Sequence, residues 1–256
     1  MNKQRNLERW APAVVLVATL LLWQLGVTLF KVPEYIFPSP FEIAKQFVEF
    51  KGPLLEAAWK TFWVTMLGFG LSIVVGVLLG FLVGSSRLAY AAFYPLMTGF
   101  NAVPKAAITP ILVVWFGIGL GPGILTAFLI SFFPITVNIA TGLATLEPEL
   151  EDVLRVLGAK RWDVLVKVGL PRSMPYFYGS LKIAITLAFV GTVLAEMTAG
   201  DSGIGNLMQT AGGQQRMPLA FAGLVTIGVM AMAMYELFSA VEKHTTAWAH
   251  RGSQGE

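Results

Sequence analysis

Four ionisable side chains, Lys105, Lys182, Glu196 and Glu236, lie within or beside long apolar stretches of the sequence. A charge in such a stretch is costly in free energy and is therefore a candidate for function, such as contact with a charged solute. Asn101 lies four residues before Lys105, so the two share a face if this segment is helical. We take Asn101, Lys105 and Glu196 as candidate residues of a solute pathway, where a basic group would favour anions. For Lys182 and Glu236 we expect contact with lipid headgroups or pairing with another of the four.

Residues for catalysis or for metal binding are scarce in this chain. It has no cysteine, and its two histidines, His244 and His250, lie near the C-terminus, which excludes a thiol nucleophile, a disulfide framework and a His-rich metal site. No Gly-x-x-x-x-Gly-Lys-Ser/Thr loop is present, so the chain cannot bind and hydrolyse ATP in the usual way. No Ser/His/Asp set or pair of active carboxylates is evident either. We therefore expect no catalytic residue, no metal site and no cofactor in this chain.

The composition is that of a membrane protein. Hydrophobic residues make up 55% of the 256 residues, and charged residues make up 13%, against about 25% in ordinary soluble domains. So few charges cannot cover the surface of a soluble domain, which argues against a typical soluble enzyme, a nucleic-acid binder and a disordered chain. The net charge of +3 is small and fits basic cytoplasmic loops.

Apolar runs as long as a membrane-spanning helix, about 20 residues, recur along the chain and must be helical in lipid. We predict an all-α integral membrane protein with about six transmembrane helices in one domain, residues 10–246, between an N-terminal segment 1–9 and a tail 247–256. The predicted spans are 10–30, 61–86, 92–117, 123–146, 173–198 and 217–241. The Gly- and Pro-rich segment 117–123 is predicted to be the turn between the third and fourth spans. The first span is longer than the apolar region of a signal peptide and no small-x-small site follows it, so we expect it to be uncleaved.

The segment 88–104 has three interpretations: a separate span, a tilted entry to the third span, or a helix at the membrane interface. We favour the tilted entry, because it places eleven basic residues inside and five outside, as cytoplasmic loops require. The inside set is Lys3, Arg5, Arg9, Arg87, Arg155, Lys160, Arg161, Lys167, Arg172, Lys243 and Arg251. The outside set is Lys31, Lys45, Lys51, Lys60 and Arg216. A separate span would place the basic cluster from 155 to 172 outside.

Two further patterns predict packing rather than binding. Ser39 is expected to cap a short helix that begins at Pro40 and lies on the outer surface of the membrane. Its apolar face is expected to comprise Phe41, Ala44, Phe47 and Val48. In the second span, Gly76, Gly80 and Gly84 form a small-xxx-small face, which we expect to pack against a helix of the same chain rather than against a second copy.

The most charged segment, 148–171, lies between the fourth and fifth spans and is too long for a simple turn. Apolar residues recur at helical spacing up to Leu157, and Gly158 is expected to end this first short helix. A second short helix is expected to start at Arg161 and to end at Pro171. The two make a compact hairpin that is too polar to enter lipid.

This loop resembles the signature of the membrane subunits of ATP-binding cassette (ABC) importers: Glu-Ala-Ala, three residues, Gly, nine residues, Ile, one residue, Leu-Pro. Here the same spacings join Asp152-Val153-Leu154, Gly158, Val168 and Leu170-Pro171, with Asp for Glu and Val-Leu for the two alanines. Other segments are similar to the nitrate, sulfonate and taurine branch of the family: Trp115-Phe116-Gly117-Ile118-Gly119, Phe133-Pro134-Ile135, Asn138, Gly142, Ala195-Glu196 and Gly203-Ile204-Gly205. The resemblance covers about residues 60 to 245.

The resemblance implies a type I ABC importer permease with a cytoplasmic coupling-helix loop, residues 147–172, that docks on an ATPase subunit. Its expected coupling residues are Asp152, Val153, Leu154, Arg155, Leu157, Gly158, Ala159, Lys160, Leu170 and Pro171. The implied partners are two ATPase subunits, which bind ATP and Mg, a second copy of this chain, and an external solute-binding protein. The implied location is the bacterial cytoplasmic membrane, with both termini cytoplasmic. The implied solute is a small anion such as nitrate, taurine or a sulfonate.

Other functions stay open on the sequence alone. A self-sufficient ion-coupled carrier or channel would more often show inverted repeats with paired broken helices, and none is evident. A membrane enzyme would need a catalytic set within the spans. A vitamin or pyrimidine precursor, or an aromatic acid, is an alternative solute.

Overall fold

The structure, a computed structural model, describes residues 2–144, 156–158 and 160–245. The described residues form helices and connecting turns, without a strand. The helices are α1 (Asn2–Leu29), α2 (Pro40–Glu49), α3 (Lys51–Gly84), α4 (Arg87–Ala102), α5 (Thr109–Phe116), α6 (Leu120–Ala144), α7 (Arg161–Val164), α8 (Leu170–Ala199), α9 (Gly203–Gly213) and α10 (Met217–Thr245). A 3₁₀ turn, Lys105–Ile108, precedes α5, and a π turn, Leu165–Gly169, joins α7 to α8.

Five helical segments in the described part of the chain are long and apolar enough to cross a membrane: Trp10–Leu29, Lys51–Gly84, Leu120–Ala144, Val166–Ala199 and Met217–Thr245. The pair Arg87–Ala102 and Lys105–Phe116, bent by 70°, makes a sixth if it is one broken span. The prediction of an all-α membrane protein with about six spans is confirmed. The predicted turn 117–123 was too long: α6 already begins at Leu120. Pro122 lies in its first turn, where a missing N–H leaves no hydrogen bond unmade.

Helices α3 and α6 run parallel and are packed through glycines of α3. A Cβ at Gly68 would lie 2.6 Å from the Cβ of Ala127, and a Cβ at Gly84 would lie 2.9 Å from the Cβ of Leu143. Two further glycines between them, Gly76 and Gly80, approach α6 equally closely. The small-residue face of the second span therefore packs within the chain, as its spacing predicted.

Helix α8 lies against both α3 and α6 and runs antiparallel to α6. A Cβ at Gly191 would lie 2.8 Å from the Cα of Ala127, near the start of α6, while a Cβ at Gly142, near its end, would lie 3.0 Å from the Cβ of Ser173. The main core lies among these three helices and is formed by Phe69, Ala127, Ile135, Ile139, Leu143, Leu181, Ala184, Ile185, Ala188 and Phe189. We call the end of the bundle where α6 ends and α8 begins the loop end, and the other the far end.

The parallel orientation of α3 and α6 bears on the bent pair α4 and α5. If α4 were a crossing of its own followed by another, or if the pair only dipped into the membrane, α6 would run antiparallel to α3. The observed orientation requires one net crossing between them. The bent pair is therefore best described as a single broken span, which corresponds to the favoured tilted entry.

Helix α2 begins as its sequence predicts, but it packs on another face. The Ser39 hydroxyl accepts a hydrogen bond from the Glu42 N–H, 3.3 Å away, and Pro40 is the first helical residue. The buried side chain is Ile43, which the predicted apolar face did not include, whereas Phe41 and Val48 of that face are exposed at the surface of the protein. Ile43 joins a second core at the far end, built from α2, α3, α9 and α10. Helix α9, which completes that core, had no counterpart among the predicted elements.

Candidate functional site

The loop end carries exposed apolar side chains next to a glycine in the left-handed region. Val156 and Leu157 are 88% and 77% exposed, and Gly158 has φ = 86°. A Cβ at Gly158 would have nothing within 4 Å, so its positive φ, rather than crowding within the chain, favours glycine here. The expected coupling residues Leu157, Gly158 and Lys160 are all exposed. Asp152, Val153, Leu154, Arg155 and Ala159 lie outside the described residues.

The helix that follows the loop starts with a local cap. Asp163 Oδ2 accepts a hydrogen bond from the Lys160 N–H at 3.3 Å, as the side chain at the third helical position of a capping box does. Lys167 Nζ lies 3.1 Å from Asp163 Oδ1. The hydrogen bond from Lys167, followed by that from the Lys160 N–H, lowers the pKa of the Asp163 carboxyl.

The predicted end of the second short helix at Pro171 was wrong. The chain is helical from α7 through the π turn into α8, and Leu170 and Pro171 form the first turn of α8. The loop is therefore connected to the fifth span by continuous helix, not by a flexible joint.

Asn101 and Lys105 meet where α4 and α5 bend. Lys105 Nζ donates to the backbone carbonyl of Asn101 at 3.0 Å and to Asn101 Oδ1 at 2.5 Å. It also lies 6.0 Å from the ring centroid of Phe100 and 5.7 Å from that of Phe133. The described ion pairs include none to Lys105. The described contacts of the ammonium group are thus all with neutral partners.

Lys182 pairs with Glu242, and not with Glu236 or another of the four ionisable groups. Lys182 Nζ lies 2.6 Å from Glu242 Oε2, and the two side chains are 19% and 15% exposed. Because Lys182 is on α8 and Glu242 near the end of α10, the pair joins these helices. Glu236 is exposed. Glu242 lies just beyond the predicted sixth span, which is why sequence spacing did not suggest it as the partner.

Glu196 lies at the far end of α8 and is only 7% exposed. Its carboxylate accepts hydrogen bonds from Thr61 Oγ1 and from the Gly205 N–H, each at 2.9 Å. No hydrogen bond or ion pair described for the chain connects it to Asn101 or Lys105. The structure therefore places the three candidate pathway residues in two groups on different helices.

Sequence reasoning overlooked the buried hydroxyls that join the spans. On α3, Thr65 Oγ1 donates to Thr192 Oγ1 of α8 at 2.9 Å, and the Ser72 and Ser131 hydroxyls of α3 and α6 are 2.6 Å apart. Thr61 and Thr65 are one helical turn apart in an apolar run, and this spacing was the available signal. Nothing in the sequence, however, identifies their partners on other helices.

Comparisons with known proteins agree with this architecture. The family described as binding-protein-dependent transport system inner membrane component matches residues 72–246. The riboflavin transport system permease protein RibX of Chloroflexus aurantiacus is 33% identical over 251 residues, 95% of this chain and 94% of RibX. The putative aliphatic sulfonates transport permease protein SsuC of Bacillus subtilis is 27% identical over 242 residues, 93% of this chain and 88% of SsuC.

Among solved structures, a chain of the inward-facing MetNI methionine ABC transporter is similar with a TM-score of 0.65. The match covers 77% of this chain and 98% of that one at 18% identity, which supports the fold alone. The family match favours an importer over the ion-coupled carrier, the channel and the membrane enzyme. The chain belongs to the inner-membrane permeases of binding-protein-dependent ABC transport systems: it is the membrane-spanning subunit of an importer whose ATPase is a separate subunit.

Proposed function

We propose that this permease imports a small anionic solute by alternating access, driven by an ATPase subunit that docks on the loop between α6 and α8. The observation that carries the coupling part is the exposure of Val156 and Leu157 immediately before Gly158. Apolar side chains this exposed at a polar end of the bundle are suited to a groove on a partner protein. The continuous helix from α7 to α8 would carry a push on the loop into the fifth span.

The docking residues would be the ten that match the family loop. In the described part of the chain, Leu157 supplies apolar contact, Gly158 the turn and Lys160 a polar rim that sets orientation. Asp152, Val153, Leu154, Arg155 and Ala159 would form the rest of the docking surface, and Leu170 and Pro171 the rigid connection to α8.

Gly158→Asp tests the docking surface, with Gly117→Asp as a matched control. Both glycines have a positive φ, 86° and 77°, and an added Cβ would meet nothing within 4 Å at either position. Both substitutions therefore place a side chain at a positive φ without a steric clash, but Gly117 lies at the far end of the bundle, before the start of α6. We expect Gly158→Asp to insert normally, yet to lose co-purification with the ATPase and ATP-driven uptake, whereas Gly117→Asp keeps its ATPase. Wild-type uptake by Gly158→Asp would refute the coupling assignment.

The assembly would contain two copies of this chain, two ATPase subunits that bind ATP and Mg, and an external solute-binding protein. This chain would hold no cofactor and perform no catalysis by itself. From Trp10 onward most apolar side chains of α1 are exposed, which supports the proposal that α1 faces lipid or a second copy of this chain. Native mass spectrometry of the purified complex would give the copy numbers, and a crosslinker at Ala159 should reach the ATPase.

Both termini and the coupling loop would face the cytoplasm of a bacterium, with the protein in its cytoplasmic membrane. The excess of basic residues in the loops at the loop end supports this orientation. The chain has no cysteine, so Leu157→Cys and Gln215→Cys allow labelling without background from native thiols. A membrane-impermeant maleimide added to intact cells should label the cysteine at 215, at the far end, and leave the one at 157 unlabelled. The reverse pattern would contradict the orientation.

The anionic solute is proposed from the surroundings of Lys105. Its ammonium group contacts an amide and two aromatic rings beside the break between α4 and α5. These neutral partners do not neutralise the positive charge of Lys105, as a neighbouring carboxylate would. The name of SsuC, a sulfonate permease, agrees with an anion, whereas that of RibX points to a vitamin, the alternative solute class. Glu196 as a pathway residue stays a prediction, and its contacts give it a different task, described below.

Uptake assays would separate the solute classes. With its binding protein, the complex should take up nitrate, taurine or an alkyl sulfonate, and Lys105→Gln should raise the KM by about tenfold, as expected for loss of one charge-assisted hydrogen bond. Lys105→Arg should restore most of the affinity, and Lys45→Gln, on exposed α2, should change nothing. Uptake of riboflavin alone, with kinetics unchanged in Lys105→Gln, would refute the anion assignment and leave the importer function intact.

A further inference from the structure

The first turn of α9 is capped by side chains from two other helices. The Ile204 N–H donates to Thr61 Oγ1 at 2.8 Å, and the Gly205 N–H donates to Glu196 Oε2 at 2.9 Å. Thr61 Oγ1 in turn donates to the Glu196 carboxylate. The local candidate for the cap, Ser202, makes no such bond and donates to Asp201 instead. Two of the four N–H groups that an α-helix leaves without intrahelical partners at its start are thus bonded by side chains of α3 and α8.

The glycines of the turn before and within α9 allow this close approach. Gly203 has φ = 93°, and a Cβ there would collide with the Glu196 carboxylate. A Cβ at Gly205 would lie 2.5 Å from the carbonyl oxygen of Val193 on α8. Thr61 is fully buried, and the carboxylate lies at the positive end of the α9 dipole. The contact is therefore specific: a side chain at either glycine would separate α9 from α8.

Helix α8 connects this contact to the loop. It has 30 residues, which gives a length of about 45 Å, and continuous helix extends back to Arg161. Its other end carries Glu196, one turn before Gly200. At the far end α9 also packs on α10, where a Cβ at Gly223 would lie 2.7 Å from Met208 Cγ.

We propose that Glu196 and Thr61 are positioning residues for transport: they fasten α9 to α8 and α3, so that α9 moves with α8 when the loop is displaced. The proposal rests on the proposed function, because it takes the displacement from the ATPase. It assigns to Glu196 a mechanical task at the far end, in place of solute contact. The loop displacement would thus reach the far face of the membrane through one rigid helix and one buried carboxylate.

Removal of the Thr61 hydroxyl tests the contact, with Thr65 as its matched control. Thr61→Val keeps the shape of the side chain, leaves the Ile204 N–H without its described acceptor, and leaves the Glu196 carboxylate with the Gly205 N–H as its remaining described donor. Thr65 lies on the same helix and is equally buried. Its hydroxyl donates to the backbone carbonyl oxygen of Thr61 and to Thr192 Oγ1, and no described hydrogen bond connects it to α9. Thr65→Val therefore removes the same group while leaving the cap intact. Thr61→Ser keeps the hydroxyl and should behave as wild type.

Distances between spin labels report the outcome in the permease–ATPase complex, without ATP and trapped with ATP and vanadate. Labels at the exposed positions 198 and 209, introduced as Thr198→Cys and Gln209→Cys, report α9 relative to α8. In wild type, Thr65→Val and Thr61→Ser, we expect a narrow distance distribution that is the same in both states. We also expect the distance between the 209 labels of the two copies to change on trapping. In Thr61→Val the 198–209 distribution should broaden, and the change between copies should be at least halved.

Two results would overturn the proposal. Thr61→Val with wild-type distances in both states would show that the hydroxyl is dispensable. Thr61→Val that fails to assemble with the ATPase, while Thr65→Val and Thr61→Ser assemble, would make the contact a requirement for folding only. Failure of the proposed function has a different signature: the wild-type permease would bind no ATPase, while its 198–209 distance in the membrane would still be narrow and would still broaden in Thr61→Val.

Discussion

The close contact between α3 and α6 predicts a difference between two glycines of α3. A Cβ at Gly80 would lie 2.8 Å from the Cβ of Ile139 and 2.8 Å from the carbonyl oxygen of Thr136. At Gly70, on the same helix, nothing lies within 4 Å of the added atom. A backbone carbonyl cannot rotate away as a side chain can, so Gly80→Ala should force α3 and α6 apart. Gly70→Ala should leave them in place.

The size of the effect follows from these distances. Carbon atoms in good contact are about 3.5–4.0 Å apart, so the new methyl group at Gly80 lacks about 1 Å of space. Overpacking of this kind lowers the free energy of unfolding by about 1–3 kcal/mol. Alanine gains about 1 kcal/mol over glycine in helix propensity, but both variants share this gain. We therefore expect Gly80→Ala to be about 1–3 kcal/mol less stable than Gly70→Ala.

Unfolding in mixed micelles of dodecyl maltoside and SDS, followed by fluorescence of the seven tryptophans, would measure both variants. Gly76→Ala, where the added Cβ would lie 2.9 Å from that of Ile135, should behave as Gly80→Ala does. Equal stabilities for the variants at 70 and 80 would refute the close parallel packing of α3 on α6, and with it the single crossing assigned to α4 and α5.

Two further predictions concern ionisable groups. Lys182→Glu and Glu242→Lys should each destabilise the permease by up to about 3 kcal/mol, because each leaves two like charges together at a mostly buried site. The double charge reversal should recover at least half of the loss in the same micelle titration, and a double variant as unstable as the summed singles would contradict the pair. Asp163→Asn should loosen the turn Arg161–Val164 at neutral pH, measured as amide-exchange protection relative to intrinsic exchange rates. Because the folded pKa of Asp163 is lowered, its stabilising effect is present above the unfolded pKa and is lost as the pH falls through the folded pKa. The protection of the wild-type chain and that of the Asp163→Asn variant should therefore converge in acid, and a difference that persists there would exclude the carboxylate as the cause.

Much of the fold could be predicted from the sequence because membrane spans are local. The length of an apolar run measured against the bilayer identifies a span without knowledge of its neighbours, and lipid requires it to be helical. The same holds for the Ser39 cap and for the glycine face of α3, whose signals lie within a few residues. Gly158 likewise carried its own signal at the end of a helical pattern, and it has the positive φ of a helix-terminating glycine.

Elements whose partners are distant in the sequence were missed. Helix α9 is rich in glycine and its local cap residue is unused, because its first N–H groups are bonded to Thr61, 143 residues from Ile204, and to Glu196. The apolar face predicted for α2 omitted Ile43 for a related reason: Ile43 belongs to a core with residues of α3, α9 and α10, and helical spacing alone does not reveal which side of α2 these helices cover. Pro171 was expected to end a helix, but the helical chain continues from the π turn through Pro171 into α8.

The sequence by itself determined that this chain lies in a membrane and about how often it crosses, and it predicts which loop contacts a partner. These conclusions depend on hydropathy and on turn chemistry, which act over a few residues at a time. Only the tertiary structure decided that α3 and α6 are parallel, that Lys182 meets Glu242, and that Glu196 holds α9 instead of standing beside Lys105. In lipid an apolar helix face packs equally well against another helix or against acyl chains, so hydropathy does not determine which helices pack together. Close glycine contacts and buried hydrogen bonds select them, and these form only once the helices are packed.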